Sequence, residues 1–165
     1  MALNPHTACI DIQVSPMFSK SIAKSWIDKV MKQVIEKEYG SKNIELGIVI
    51  TDDEVMKSLN MKFMGYDETT DVLAFPMEDT LNSEQQGDIQ FPAISGQNFQ
   101  MGEILISYPQ AKKQAFYAKK TIKGEILLLL VHGFLHLIGY DHAYPIDKEN
   151  MWKKQDEIIA TIGNY

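Results

Sequence analysis

Apolar and polar residues alternate in several short segments of this chain, and longer segments between them repeat apolar residues at helical spacing. From Ala8 to Val14, apolar residues fall on one side and polar residues on the other, which predicts a half-exposed strand. Three further strands are expected at 45–51, 70–75 and 103–107, and Pro76 closes the segment 70–75.

The first helical pattern follows the first predicted strand. Ser19 or Ser21 can cap a helix that runs to about Tyr39, and Gly40 is a suitable stop. The predicted core stripe of this helix consists of apolar residues four positions apart: Ile22, Trp26, Val30 and Val34.

A second helix is predicted after the segment Thr51-Asp-Asp-Glu54, which has the pattern of a capping box. We expect this helix to end before Gly65 and to bury Val55, Leu59 and Phe63. Three more helices are indicated further along: a lysine-rich one at about 109–120, an apolar one from about Lys123, and an amphipathic one at 147–162. The inward residues of the last helix are predicted to be Met151, Ile158 and Ile162.

These elements predict a single α+β domain over residues 1–165, with a small sheet and about five helices. The sequence contains no internal repeat and no pattern typical of a domain linker. The segment 77–101 separates two predicted strands and is rich in Gln, Asn, Ser and Gly. Because a loop of that length in a compact domain is usually functional or disordered, we expect it to lie beside the functional cleft and to be more mobile than the core.

Composition restricts the class of protein. The 165 residues are 45% hydrophobic, which is enough for a substantial core. No signal-peptide pattern is present, and the apolar segment 126–138 is too short to span a bilayer, so no membrane partner is expected. Cys9 is the only cysteine and is expected to be a strand residue. Since one cysteine cannot form an intramolecular disulfide, a reducing cytoplasm is the expected location.

The charge pattern bears on possible partners. A net charge of −6 argues against broad nucleic-acid binding. All sixteen basic residues are lysines, so the chain has no arginine that could make a planar, bidentate contact to phosphate. A local basic patch is nevertheless present, and either a solvated helix face or a surface that faces RNA would explain it. The patch consists of Lys112, Lys113, Lys119, Lys120 and Lys123.

Three of the four histidines fall within the string His132-Gly-Phe-Leu-His136-Leu-Ile-Gly139-Tyr-Asp-His142. His132 and His136 are one helical turn apart, so both rings project from one face. Gly139 can adopt the left-handed conformation that ends a helix and lets the chain bring His142 back to the same point. The fourth histidine, His6, has no such context and is expected to be solvated.

We therefore expect His132, His136 and His142 to bind one metal ion, with ligand distances of about 2.0–2.1 Å for zinc. Three imidazoles with an open fourth position are typical of catalytic zinc, whereas structural zinc sites close all four positions. The alternative is that the histidines cluster by chance on an apolar helix. That alternative leaves two buried imidazoles without partners, which is energetically costly.

The same ligand spacing occurs in metzincin proteases, whose general base is a glutamate directly after the first histidine. Here that position is Gly133, which cannot transfer a proton. A peptidase of that mechanism is therefore not expected. Zinc lowers the pKa of its water to about 7 and polarises phosphoryl oxygens, so metal-assisted phosphodiester hydrolysis fits the site better.

The histidine string closely resembles the signature of the YbeY family of bacterial single-strand endoribonucleases, also called rRNA maturation factors. A second block of the family is similar to the segment from Leu59-Asn60 to Thr70-Asp-Val-Leu-Ala-Phe75, and a third is similar to Gly102-Glu-Ile-Leu-Ile-Ser107. The resemblance extends from about Leu46 to the C-terminus. Outside the blocks, the residues that also fit are Glu125, Met151 and Gln155.

The resemblance implies a zinc ion bound by His132, His136 and His142, and a zincin-like fold with a four-stranded mixed sheet. It also implies a role in the maturation of small-subunit (16S) rRNA and in ribosome quality control. The partners that it implies are single-stranded or ribosomal RNA, the small ribosomal subunit, one of its proteins and an assembly GTPase.

Two positions depart from the family pattern. An arginine usually stands four residues after the Leu-Asn pair and is most often credited with activity beside the metal, but here that position is Met64. In the third block Glu103 replaces the usual aspartate and keeps the carboxylate. Two alternatives to a metal-dependent endoribonuclease are therefore kept. One is a zinc-binding ribosome-assembly factor without catalysis, and the other is a metallohydrolase that acts on a small molecule or peptide.

No general base is identified from the sequence. Asp141 could orient a ligand ring or could be a turn residue. Asp71 and Glu125 are candidate polar partners of the site, but a capping or helix-surface role would explain each of them equally well. Lys62 is the lysine nearest in sequence to Met64 and could supply charge in place of the missing arginine.

Overall fold

A computed structural model describes residues 8–40, 43–77 and 99–163 of the chain, and these form an α+β fold with one mixed sheet and five helices. The strands are β1 (Cys9–Val14), β2 (Ile44–Thr51), β3 (Val72–Pro76) and β4 (Phe99–Ser107). The helices are α1 (Lys24–Tyr39), α2 (Asp53–Met64), α3 (Tyr108–Tyr117), α4 (Ile122–Leu137) and α5 (Pro145–Ile162). Most of the predicted loop at 77–101 lies outside the described residues, so its expected place beside the cleft stays a prediction.

The four strands are arranged in the order β1-β2-β4-β3. β1, β2 and β4 are parallel, and β3 runs antiparallel to β4 at the edge. At the end of β3, Pro76 pairs with Gly102, whose φ is +133°. A Cβ atom on Gly102 would lie 2.2 Å from the Phe75 carbonyl oxygen, so only glycine allows these two strands to approach so closely.

The sheet is covered on both faces. On one face, β2 and β4 pack against α1, α4 and α5 in the main core, which includes Ile48, Ile104 and Phe134. On the other face, Leu105 and Leu73 pack against Met56 of α2 in a smaller cluster. Successive residues of β4 thus point to opposite faces, as strand geometry requires, and both are buried. No described helix is long and apolar enough to cross a membrane.

Helix α1 begins later than the predicted serine caps. Ser19 donates its hydroxyl hydrogen bond to the Pro16 carbonyl in a preceding turn, and the helix starts at Lys24 after Ala23, which makes no side-chain cap. The prediction of a cap at Ser19 or Ser21 is therefore wrong. The predicted stripe and the stop at Gly40 are confirmed, and the buried stripe residues are Ile22, Trp26, Val30 and Val34.

Helix α2 is capped one residue later than predicted, because the carboxylate of Asp52 accepts the hydrogen bond from the Val55 amide. Its buried residues are Met56 and Asn60, whereas Val55 and Phe63 are exposed. The predicted inward face was thus wrong for Val55 and Phe63, whereas Leu59 is partly buried and packs against the smaller cluster on this face of the sheet, as predicted. The end of the helix before Gly65 is confirmed.

Candidate metal centre

Helix α4 carries His132 and His136 on one face and ends in a turn that returns the chain toward them. The Gly139 amide donates to the His136 carbonyl and the Tyr140 amide donates to the Leu135 carbonyl, the two hydrogen bonds of a Schellman motif. Gly139 has φ +94°, which a residue with a side chain rarely adopts. The turn brings His142 to the histidine pair, as the glycine position predicted.

The three imidazoles converge. The ligand nitrogens of His132, His136 and His142 all lie within 4.8 Å of one another. The Nε2 atoms of His132 and His136 are only 3.1 Å apart. Each of the three side chains offers one ligand nitrogen to a shared point, so the group could hold a metal ion.

The hydrogen bonds on the other side of the two rings determine which nitrogen carries the proton. Nδ1 of His132 lies 3.1 Å from Gln155 Oε1, and Nδ1 of His136 lies 3.0 Å from the Tyr140 carbonyl oxygen. Both oxygens can only accept, so each Nδ1 donates and each neutral ring presents an unprotonated Nε2. Two Nε2 atoms 3.1 Å apart can share a proton or bind the same metal ion, and His142 supplies a third ligand nitrogen for a metal. The donor set therefore fits a metal that binds imidazole.

Burial favours the neutral form of these rings. It lowers the pKa of His132 below its ordinary value, and the hydrogen bond to Gln155 opposes this shift. Burial also lowers the pKa of His136, and the neighbouring histidines add to that effect. Because a metal ion binds the neutral imidazole, both shifts favour metal binding at neutral pH.

Gln155 is the polar partner that sequence reasoning did not assign. It lies on α5, is buried, and accepts the hydrogen bond from His132. The signal that could have found it is a glutamine between Met151 and Ile158, on the apolar face of an amphipathic helix. A polar side chain in that position requires a buried partner.

A cleft of about 410 Å³ opens beside the histidines. Its wall is formed by β3 and the segment before it, and by Met64 at the end of α2; the lining residues are Met64, Thr70, Asp71, Val72, Leu73, Ala74, Pro76 and the three histidines. Met64 is 49% exposed and lines the cleft, and its neighbour Phe63 contacts the Phe75 ring in a tilted arrangement. Met64 therefore faces the cleft and is not a core residue.

Few charged side chains line the described part of the cleft. Among the described lining residues, Asp71 is the only charged one apart from the histidines. Lys62 lies over the Phe63 ring, 5.1 Å from its centroid, and is not among the lining residues. A phosphodiester that entered this cleft would therefore meet a carboxylate and no lysine from the described part of the chain.

The other candidate acids occupy three different environments. Asp141 accepts a hydrogen bond from the His142 amide, which is the local turn role. Asp71 accepts from the Val72 amide and from Gln114 Nε2 and also lines the cleft. Glu125 is buried rather than on the helix surface, and burial raises the pKa of its carboxyl group. Of these three candidate acids, Asp71 is the one that lines the cleft.

These features define a class: an α+β protein whose candidate metal centre is formed by two histidines on a buried helix and a third after a glycine turn. Sequence comparison agrees. The endoribonuclease YbeY family model matches residues 10–163, and the chain belongs to this family. It is 40% identical over 153 residues to an endoribonuclease YbeY of Dehalococcoides mccartyi, covering 93% of this chain and 89% of the relative.

Other relatives and a solved structure agree with this assignment. The endoribonuclease YbeY of Persephonella marina is 35% identical over 148 residues, with 88% of each chain covered. The solution structure of TM1509 from Thermotoga maritima superposes with a TM-score of 0.61 at 26% identity, covering 93% of this chain and 88% of that one. The resemblance proposed from the three sequence blocks is thereby confirmed.

Proposed function

We propose that this protein is a zinc-dependent endoribonuclease that cleaves single-stranded RNA during maturation of small-subunit (16S) rRNA. The metal ligands are His132, His136 and His142. The observation that carries the proposal is the convergence of three histidine ligand nitrogens, all within 4.8 Å of one another, in a chain of the endoribonuclease YbeY family. Three imidazoles that leave a fourth position open are typical of catalytic zinc.

Within this proposal, the chain's own residues hold and orient the site. Gln155 and the Tyr140 carbonyl fix the tautomers of His132 and His136. Asp71 is the carboxylate in the cleft that can accept a proton from a nucleophile, and Gln114 holds it in place. When bound, zinc supplies the positive charge that the described lining residues lack, and lowers the pKa of water to about 7.

A second candidate function is a zinc-binding ribosome-assembly factor that does not cleave RNA. The observation that favours it is the presence of Met64, a weak acceptor, in the cleft wall. Without an arginine there, less charge is available to stabilise a pentacovalent phosphorus. In either function, the proposed partners are ribosomal RNA, the small ribosomal subunit, one of its proteins and an assembly GTPase in the cytoplasm, and residues 1–165 act as one domain.

The two candidates are separated by single-turnover cleavage of a labelled single-stranded RNA. We expect zinc-loaded protein to cleave slowly, and both chelator and His136→Ala to abolish cleavage. Lys153→Gln, an exposed position on α5, is the matched control and should cleave at the wild-type rate. Metal content is measured in parallel, with X-ray absorption expected to give zinc–nitrogen distances of about 2.0–2.1 Å.

Zinc binding without any RNA cleavage would support the assembly factor instead. Cleavage that continues in His136→Ala or in chelator would contradict a metal-dependent mechanism. Failure of the wild type to bind one equivalent of metal would contradict both candidates.

A further inference from the structure

Helix α3 ends in two adjacent aromatic rings that are almost fully exposed. Phe116 is 79% and Tyr117 is 73% exposed, and their ring centroids are 5.7 Å apart. The buried side of the helix is formed by Ala111 and Ala115, which are small and pack inward. Two large rings left in solvent on one short helix present flat, apolar faces that a planar ligand could cover.

Four exposed lysines surround these rings, and we call the six residues the α3 platform: Lys112, Lys113, Phe116, Tyr117, Lys119 and Lys120. No acidic residue occurs between Ile104 and Gly124, although the whole chain has a net charge of −6. Within the described ranges, none of the four lysines forms an ion pair with a carboxylate. Lys120 is close enough to Glu125 to lower the pKa of that carboxyl group, so the platform combines exposed aromatic faces with positive charge that is partly offset at Lys120 and, among the described residues, free of ion pairs at the other three lysines.

The backbone at Lys119 adopts a conformation that residues with a side chain rarely take. The Lys119 amide donates to the Phe116 carbonyl and the Lys120 amide donates to the Ala115 carbonyl, so α3 ends in a Schellman motif. Lys119 holds the left-handed position with φ +54°, and it is the one non-glycine with positive φ in the described chain. Glycine would be less strained there, so the lysine is present at a cost to stability.

The α3 platform is adjacent to the histidine cleft. Gln114 of α3 donates a 2.8 Å hydrogen bond to Asp71, which lines the cleft. Tyr117 follows Gln114 by three residues and so lies on the same side of the helix, one turn further on. A flexible strand that passes Asp71 can therefore continue along α3.

We propose that the α3 platform binds single-stranded RNA, with bases stacked on Phe116 and Tyr117 and phosphates near the lysines. Exposed aromatic rings beside unpaired cations are the means by which proteins hold single strands without reading sequence. A duplex hides its base faces, so stacking selects a single strand. This inference rests on the proposed function, because it extends the path of the RNA that would enter the cleft.

The test is equilibrium binding of a fluorescein-labelled oligouridylate of about ten nucleotides, followed by anisotropy in chelator so that cleavage cannot occur. The variants are Phe116→Ala with Tyr117→Ala, and Lys119→Gly. The matched control is Trp152→Ala with Lys153→Gln, an exposed aromatic and lysine pair on α5. Circular dichroism checks that each protein is folded.

We expect loss of the two rings to weaken binding about fivefold or more, the effect of losing one or more stacked bases. Lys119→Gly should raise the melting temperature, because glycine relieves the strained turn, and should still weaken RNA binding. Its plot of log affinity against log salt should lose about 0.7 of slope, the value for one phosphate contact on a single strand. If Lys119 had only a structural role, Lys119→Gly would not both raise the melting temperature and weaken RNA binding.

The double variant Phe116→Ala with Tyr117→Ala is called the ring variant. Unchanged RNA affinity in the ring variant, or no RNA binding by the wild type, would overturn the inference. A change in monomer–dimer equilibrium in the ring variant at unchanged RNA affinity would assign the rings to a contact between copies and would also overturn it. Failure of this inference can be distinguished from failure of the proposed function on which it rests. If the wild type cleaves RNA with the metal but the ring variant binds RNA as tightly as the wild type, only the inference about the platform is rejected. If RNA binding depends on the platform but no cleavage occurs, only the proposed nuclease function is rejected.

Discussion

A Cβ atom placed on Gly133 would lie 2.8 Å from Cγ2 of Ile104, closer than real Cβ atoms approach other atoms. Gly133 stands between His132 and His136 of α4, where the helix packs against Ile104 of β4. The absence of a side chain here lets α4 lie close to the sheet. The residue that replaces the metzincin glutamate is therefore required for packing, which explains why this position cannot carry a general base.

We expect Gly133→Ala to destabilise the protein by about 1–3 kcal/mol, because the added methyl group overpacks this contact. Ile104→Ala should relieve part of the clash, so the double variant should be more stable than the sum of the two single effects predicts, by about 0.5 kcal/mol or more. Urea unfolding of the four proteins measures this coupling. Strict additivity would show that the two positions do not interact.

Gln155→Leu should weaken metal binding about 10–100-fold, since it removes the acceptor that holds the Nδ1 proton of His132. Leucine has nearly the same volume, so the fold should be retained. Competition with a chromogenic chelator measures the affinity. Gln13→Leu, an exposed position on β1, serves as control and should bind metal as the wild type does.

Met64→Arg should accelerate RNA cleavage about 10²–10³-fold, the typical effect of one donor that stabilises developing charge. The reason is that residue 64 faces the cleft, where none of the described lining residues is a lysine. Met61→Arg is the matched control, because Met61 lies in the same helix, is 52% exposed and does not line the cleft. Single-turnover rates are compared.

The gain from Met64→Arg should disappear when His136→Ala is added, because the arginine acts together with the metal. Robust wild-type activity with no gain from the arginine would show that Met64 does not limit catalysis.

Glu125→Gln should raise stability at neutral pH, and the gain should shrink as the pH falls. Burial raises the pKa of Glu125, so the folded protein binds this proton more tightly than the unfolded chain does. The free energy of unfolding of the wild type therefore falls as the pH rises from 4.5, the ordinary pKa of this carboxyl group, through the higher pKa that it has in the folded protein. Glutamine does not titrate, so Glu125→Gln removes that loss. Urea unfolding in chelator at several pH values measures the difference. Glu149→Gln, which is exposed, should show no pH-dependent gain.

Much of the local structure follows from short-range chemistry. The one-turn spacing of His132 and His136 and the glycine at 139 are enough to place three imidazoles together, because helix geometry and a left-handed turn act over a few residues. The alternating strands and the helix ends at Gly40 and Gly65 were predictable for the same reason.

Helix α2 shows where local patterns stop being sufficient. Its sequence carries two adjacent stripes, one with Val55, Leu59 and Phe63 and one with Met56 and Asn60. Helical spacing does not decide between them, because the choice depends on how the helix docks against Leu73 and Leu105 of the sheet. The serine caps before α1 failed for a local reason, because Ser19 lies in a turn in which it donates to the Pro16 carbonyl and the helix begins only at Lys24.

By itself, then, the sequence determined the class of fold, the family and the three-histidine cluster, because these depend on local spacing and on motif blocks. Only the tertiary structure decided that Gln155 orients His132, that Met64 and Asp71 form the cleft wall, and that Gln114 joins α3 to the site. Each of these contacts joins residues more than twenty positions apart or on different elements. The packing of helices on the sheet creates such contacts, and no local pattern along the chain encodes them.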